Sequence, residues 1–219
     1  MLSVYQIERH FRSRHIDTLL RGVSPLGMEL PLPLMVRLSA EPVAVIALAL
    51  RRVLELTYGP TPLSRELIAY LLEHQNNDGS FGDGTTGNVN GPGDPLATAA
   101  VVAALTALAR EHANTPHPEA ALARERAIAA LANSQADSGL FSSAADRTTE
   151  DATLNSAFIL SLLAGDEEFR QSVRFADLLT WFEEHVDEVD AAAEKFIRLA
   201  RVEAPATFRK SNAIAAIAA

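Results

Sequence analysis

The chain of 219 residues contains no cysteine. That absence excludes a disulfide framework, thiolate nucleophiles and every zinc site that needs a sulfur ligand. Aromatic residues make up only 6% of the chain, with a single tryptophan. Positive charge is also scarce: 19 Lys and Arg stand against 28 Asp and Glu, a formal net charge of −9. Phosphate backbones and anionic membrane surfaces are bound by clustered Lys and Arg, so this balance argues against nucleic acid and lipid headgroups as partners. No apolar run reaches the eighteen or so residues of a membrane span. The nearest, Ala97 to Ala109, is short and rich in alanine and reads as a core helix. The N-terminal stretch MLSVYQIERHFRSRH has no long apolar segment and does not read as a secretory signal. The expected location is cytoplasmic.

Hydrophobic residues are plentiful at 48%, enough for a sizeable core. Alanine and leucine dominate and favour helix, and glycine and proline sit at the borders of apolar runs rather than inside them. The expected fold is therefore all-α. A first helix is expected over about Ser3 to Arg21, followed by an extended or irregular link marked by Pro25, Pro31 and Pro33. Further helices are expected from Pro42 to about Thr57, Pro62 to about His74, Pro95 to about His112, Pro118 to about Ser134 and Glu150 to about Ala164. Two more are expected, from Arg174 to Asp187 and from Val189 to Arg201. Proline suits the first turn of a helix, where its missing N–H has no partner to lose. Asp94 suits a helix N-cap because its carboxylate accepts from free backbone N–H groups. The segment from Gln75 to Gly93 carries Gly79, Gly82, Gly84, Gly87, Gly91 and Gly93 and cannot be regular helix.

Two loops resemble each other. YLLEHQNNDGSFG, from Tyr70 to Gly82, is matched by ALANSQADSGLFS, from Ala130 to Ser142. Gln75 pairs with Gln135, Gly79 with Gly139 and Phe81 with Phe141. Three helix starts also line up: Glu41-Pro42, Asp94-Pro95 and Asp151-Ala152, each an acid followed by small apolar residues. The pattern reads as a helical hairpin of about 55 residues, with an apolar inner helix and an amphipathic outer one, repeated along the chain. Such hairpins hide their inner helices only by stacking side by side.

The loop pattern aromatic-Leu-x-x-x-Gln-x-x-x-Gly-x-aromatic resembles the QW-type repeat of the prenyltransferase and squalene-oxidase group. Tyr70, Leu71, Gln75, Gly79 and Phe81 carry one copy, with Phe where the family usually has Trp. Leu131, Gln135, Gly139 and Phe141 carry a second, with Ala130 at the leading aromatic position. The resemblance covers roughly residues 41–165. It implies an α/α toroid, as in terpene cyclases and protein prenyltransferase β subunits, in which these Gln loops are structural. At about 50 residues per hairpin the chain supplies about four to five hairpins, so an incomplete or open toroid is expected. The organisation expected is a single domain over 1–219. Within it, 1–40 is an N-terminal helix and Pro-rich link, 41–165 holds the best-matching repeats and 166–219 holds divergent C-terminal helices.

The family's chemistry does not carry over residue by residue. Class II cyclases donate a proton from the middle Asp of a D-x-D-D-T-A motif. Here Asp94-Pro95-Leu96-Ala97-Thr98-Ala99 keeps the first Asp, the Thr and the Ala, but Leu96 and Ala97 hold no acidic proton. There is no DDxxD for a magnesium site, and no Cys for the zinc of a protein prenyltransferase. No catalytic residue, metal or cofactor is therefore assigned. If inner-helix starts lie near a cavity mouth, Asp94, Thr98, Asp151 and Asn155 are the polar candidates for ligand binding. The function expected is a non-catalytic binding or scaffold protein, holding a lipid-like, isoprenoid-class molecule or a protein partner, which could be a second copy of the chain. The alternative is a cyclase- or prenyltransferase-like enzyme acting on an isoprenoid. Other clusters read more simply: Asp78 and Asp83 as a solvated loop, His112 and His117 as a surface turn between helices, and the acidic run Glu183 to Asp190 as a solvated face.

Overall fold

The computed structural model describes residues 30–56, 60–82, 93–114, 117–143, 146 and 148–203. Among these residues the fold is all-helical, with nine α-helices, one short 3-10 turn and no β-sheet. In chain order the helices are α1 (Leu32–Ala40), α2 (Pro42–Leu56), α3 (Pro62–Glu73), α4 (Pro95–Glu111) and α5 (Pro118–Asn133). They are followed by α6 (Thr149–Leu163), α7 (Glu167–Ser172), α8 (Phe175–Glu184) and α9 (Ala191–Glu203). The helix expected over Ser3 to Arg21, Pro25, Asp83 and the tail after Glu203 lie outside the described residues.

Sequence and structure part at two helices. Residues 32–40 form α1 where an irregular link was expected from Pro31 and Pro33. Pro31 is the N-cap and Pro33 lies in the first turn, where no intrahelical N–H bond is lost. The proline pair therefore starts a helix instead of preventing one. The short helix α7 has no counterpart among the expected elements. It is set by Asp166, whose carboxylate accepts from the Phe169 N–H at 3.1 Å, with Glu167 and Glu168 in the first turn favoured by the helix dipole.

The helices are arranged by which faces are apolar. In α2 every residue from Val43 to Leu50 is buried, in α4 every residue from Pro95 to Leu105, and in α6 every residue from Ala152 to Ser161. These helices pack on one another in chain order: α2 on α4, α4 on α6, and α6 on α9. Their many alanines keep the contacting surfaces low, which lets helix axes approach closely. Helices α3 and α5 bury one face only, through Leu67, Ile68 and Leu71 and through Ala123, Ala127 and Leu131. They form a second row in which α3 packs on α5 and α5 on α7, while α2–α3 and α4–α5 pack as hairpins. Phe158 of α6 meets Phe196 of α9 edge to face, with ring centroids 5.3 Å apart, a favoured aromatic geometry.

A buried ion pair fixes the junction of α4, α5 and α7. The Arg124 guanidinium donates to Asp166 at 2.5 Å and also to Glu168, and its Nε donates to the Thr106 hydroxyl at 2.8 Å. Thr106 donates in turn to Asp166 at 2.8 Å. Burial pushes the Asp166 carboxyl upward, but the bonds from Arg124, the Phe169 N–H and Thr106 outweigh it and hold the group below the ordinary carboxylate range. Burial likewise works against the charge on Arg124, yet its two carboxylate partners raise it above its usual value.

Candidate functional site

The two Gln loops have the same internal bonding. In each, the Gln amide Nε2 donates to the glycine carbonyl, Gln75 to Gly79 at 3.0 Å and Gln135 to Gly139 at 2.7 Å. Gln75 pairs with Phe81, and Gln135 with Phe141, as isolated antiparallel bridges. Gly79 and Gly139 have φ of +91° and +84°, in a region that L side chains rarely enter. Both glycines also face backbone. A Cβ on Gly79 would stand 2.6 Å from the Arg126 carbonyl oxygen of α5, and one on Gly139 would stand 2.9 Å from the Leu178 nitrogen of α8.

Each loop therefore clasps a later helix, the first loop α5 and the second α8. Gln75 Nε2 also donates to the Ala123 carbonyl of α5 at 2.8 Å, and Arg126 of α5 donates to the Asn77 carbonyl at 2.9 Å. In the second loop the Arg174 N–H, at the start of α8, donates to Gln135 Oε1 at 2.7 Å. Each loop also reaches the next inner helix. The Phe81 N–H donates to the Thr98 hydroxyl of α4 at 3.0 Å, and the Phe141 N–H to the Ser156 hydroxyl of α6 at 2.8 Å. Thr98 thus serves the clasp, while Phe81 and Phe141 are fully buried.

This pairing of Thr98 with Ser156 differs by one residue from the alignment of Asp94 with Asp151. Four residues before each hydroxyl stand Asp94 and Ala152. Asp94 is an N-cap, with Oδ1 accepting from the Leu96 and Ala97 N–H groups at 2.7 and 3.1 Å. Asp151 lies inside the first turn of α6, in a capping box with Thr148. Helix α6 starts earlier relative to its hydroxyl than α4 does, because Thr148 supplies the cap.

Three of the four candidate polar residues nevertheless belong to one buried neighbourhood, organised by a residue the sequence reading did not single out. Arg37 of α1 donates to Asp94, to Asp146 and, at 2.6 Å, to the Ser143 hydroxyl. Asn155 donates to Asp146 Oδ1 at 2.8 Å, and the Ser143 N–H donates to Asp146 Oδ2 at 2.7 Å. Thr98 donates to the Asp94 carbonyl at 2.8 Å. Asp151 stands apart, in its capping box. Burial disfavours the Arg37 charge, but Asp94 and Asp146 outweigh it and raise its pKa above the ordinary value. A signal for Arg37 was present: it is the lone charged residue in the apolar stretch from Leu30 to Leu38.

An open depression of about 250 Å³ lies at the other end of the inner helices. Arg51 and Glu55 of α2, Thr106 and Arg110 of α4, Ser161 of α6 and Leu199 of α9 line it. All of these sit in the C-terminal halves of their helices, so α2, α4, α6 and α9 run in one direction. The candidate residues at the helix starts do not face this depression. His112 is buried, in contrast to the surface turn expected for it. Among the described residues no group of three or more His, Cys, Asp and Glu side chains could hold a metal ion, and no single helix is long and apolar enough to cross a membrane. Comparison of the chain with protein-family models, curated proteins and solved structures finds no match.

Proposed function

We propose that this protein is a non-catalytic binding or scaffold protein, built as an open α/α toroid of the prenyltransferase and cyclase type and holding a lipid-like molecule or a protein partner. One observation carries the non-catalytic reading: the polar groups at the inner-helix starts are engaged within the protein. Both oxygens of Asp94 are used, one on two backbone N–H groups and the other on Arg37. Thr98 closes the first clasp, Asn155 holds Asp146, and Asp151 accepts from the Thr148 N–H in the capping box of α6. A general acid must present its proton to a substrate, and a carboxylate locked between helix amides and a guanidinium is poorly placed to do so. Leu96 and Ala97, which follow Asp94 on α4, are buried and carry no acid.

The toroid reading is supported by the parallel row α2–α4–α6–α9, by the outer row α3–α5–α7 and by the two clasps of common design. Native mass spectrometry of protein purified from its own cells is the test. A retained hydrocarbon ligand or a bound protein is the expected result. Bare, monomeric protein would overturn the proposal, as would product formed from isoprenyl diphosphates with magnesium and lost in Asp94→Asn.

A further inference from the structure

Helix α1 is apolar on both sides. Leu34 and Leu38 are buried against the body of the protein. Leu32, Pro33, Val36 and Ala40 face outward, and Leu32 and Val36 are 71% and 60% exposed. Steps of four residues bring Leu32, Val36 and Ala40 onto one stripe, with Pro33 beside it. The helix has a single charged residue, Arg37, and it turns inward to Asp94 and Asp146. Other half-buried helices differ. Helix α3 shows Arg65 to solvent, α5 shows Glu119 and Glu125, and α9 shows Glu194 and Lys195. A helix that is hydrophobic all round belongs in an interior, so the outer stripe of α1 reads as a docking surface.

The size of the stripe and its place in the chain select the occupant. Nine residues make a helix about 14 Å long and about 10 Å wide, so the stripe offers roughly 150 Å². A stable contact between separate proteins takes about 800 Å² from each partner, which argues against a second copy. A segment of the same chain needs far less, since a short linker already holds it at a high effective concentration. Residues 1–29 lead directly to the start of α1. Within them Val4, Ile7 and Phe11 have the spacing of one helical face, with Glu8, Arg9 and Arg12 off that face. Residues 22–29 can span about 27 Å, about twice the length of α1, so the residues before them can fold back along it. We propose that residues 3–21 dock as an amphipathic helix on Leu32, Val36 and Ala40 of α1, through Val4, Ile7 and Phe11.

The test uses the full chain in solution. A nitroxide on Ala40→Cys marks one site only, since the sequence has no cysteine. It should broaden backbone amide signals within residues 3–21, and adding Leu32→Asp and Val36→Asp should restore them. Trypsin cleavage after Arg9 and Arg12 should run about tenfold faster with Leu32→Asp and Val36→Asp than in wild type. Burying two aliphatic side chains is worth at least a tenfold shift, and cleavage follows the population of the open form. Ile7→Asp with Phe11→Asp should give the same acceleration, and this pair tests the contact even if the α1 changes disturb folding. No broadening within residues 3–21, or cleavage at the wild-type rate in both pairs of changes, would overturn the inference. Broadening seen only between spin-labelled chains and unlabelled, isotope-enriched ones would put a second copy on the stripe and overturn it as well.

Discussion

Replacing Gly79 by alanine tests whether the first clasp is a rigid joint between helices. Two costs add at this position. The backbone φ of +91° lies where a Cβ is strained, which costs about 1–2 kcal/mol for an L residue. The new methyl would also meet the Arg126 carbonyl oxygen at 2.6 Å and its carbon at 2.9 Å. Those are main-chain atoms of α5, held in the helix, so the loop or the helix must shift, and such overpacking costs about 1–3 kcal/mol. The expected loss is about 2–5 kcal/mol, measured by urea unfolding followed by circular dichroism at the helical band. Gly139→Ala should fall toward the lower end, since its nearest contact is 2.9 Å. Arg65→Ala, an exposed change on α3, should stay within about 0.5 kcal/mol of wild type. The cost of Gly79→Ala should persist in an Arg126→Ala background, because alanine keeps the blocking backbone. If Gly79→Ala unfolds at the wild-type urea midpoint, the loop yields freely and the clasp is not a joint.

Three further outcomes follow from the same contacts. Thr98→Val and Ser156→Ala each remove the acceptor of a buried N–H, of Phe81 and of Phe141, and each should cost about 1–3 kcal/mol in urea unfolding. Arg37→Met leaves Asp94 and Asp146 without their shared cation. It should destabilise by about 3–5 kcal/mol, the scale for removing one partner of a buried pair, and a combined Asp94→Asn change should return part of that loss. Asp166 is held below its ordinary value of 3.8. Its stabilisation is therefore full above that value and fades as pH falls through the lower, folded one. The stability gap between wild type and Asp166→Asn should be constant above about pH 5 and narrow on further acidification, measured as urea midpoints across pH.

The helices were legible because their borders are chemical. Prolines at the starts of α2, α3, α4 and α5 and the glycine loops after α3 and α5 mark most of them. The paired Gln, Gly and Phe positions also pointed to the two clasps, since such loops need an amide, a left-handed backbone and a buried ring at fixed spacing. What the pattern could not supply was long-range pairing. Arg37 lies far along the chain from Asp94 and farther from Asp146, and no local periodicity links them. Helix α7 was missed because its six residues span less than two turns, too few for a periodic apolar face. Asp151 looked like a second Asp94 because both are acids at helix starts. Only the hydroxyl that receives the Phe141 N–H fixes the true register.

The shared direction of α2, α4, α6 and α9 has an electrical consequence. Peptide dipoles add along each helix, leaving roughly half a positive charge at its start and half a negative charge at its end. Arg37, Asp94 and Asp146 together carry one excess negative charge, and they gather where α4 and α6 begin. The positive poles there help two carboxylates share a single guanidinium. At the opposite end the negative poles converge on the depression, where Arg51 and Arg110 sit. The bundle is thus polarised from end to end, and Arg51 and Arg110 stand where cationic side chains offset the negative poles.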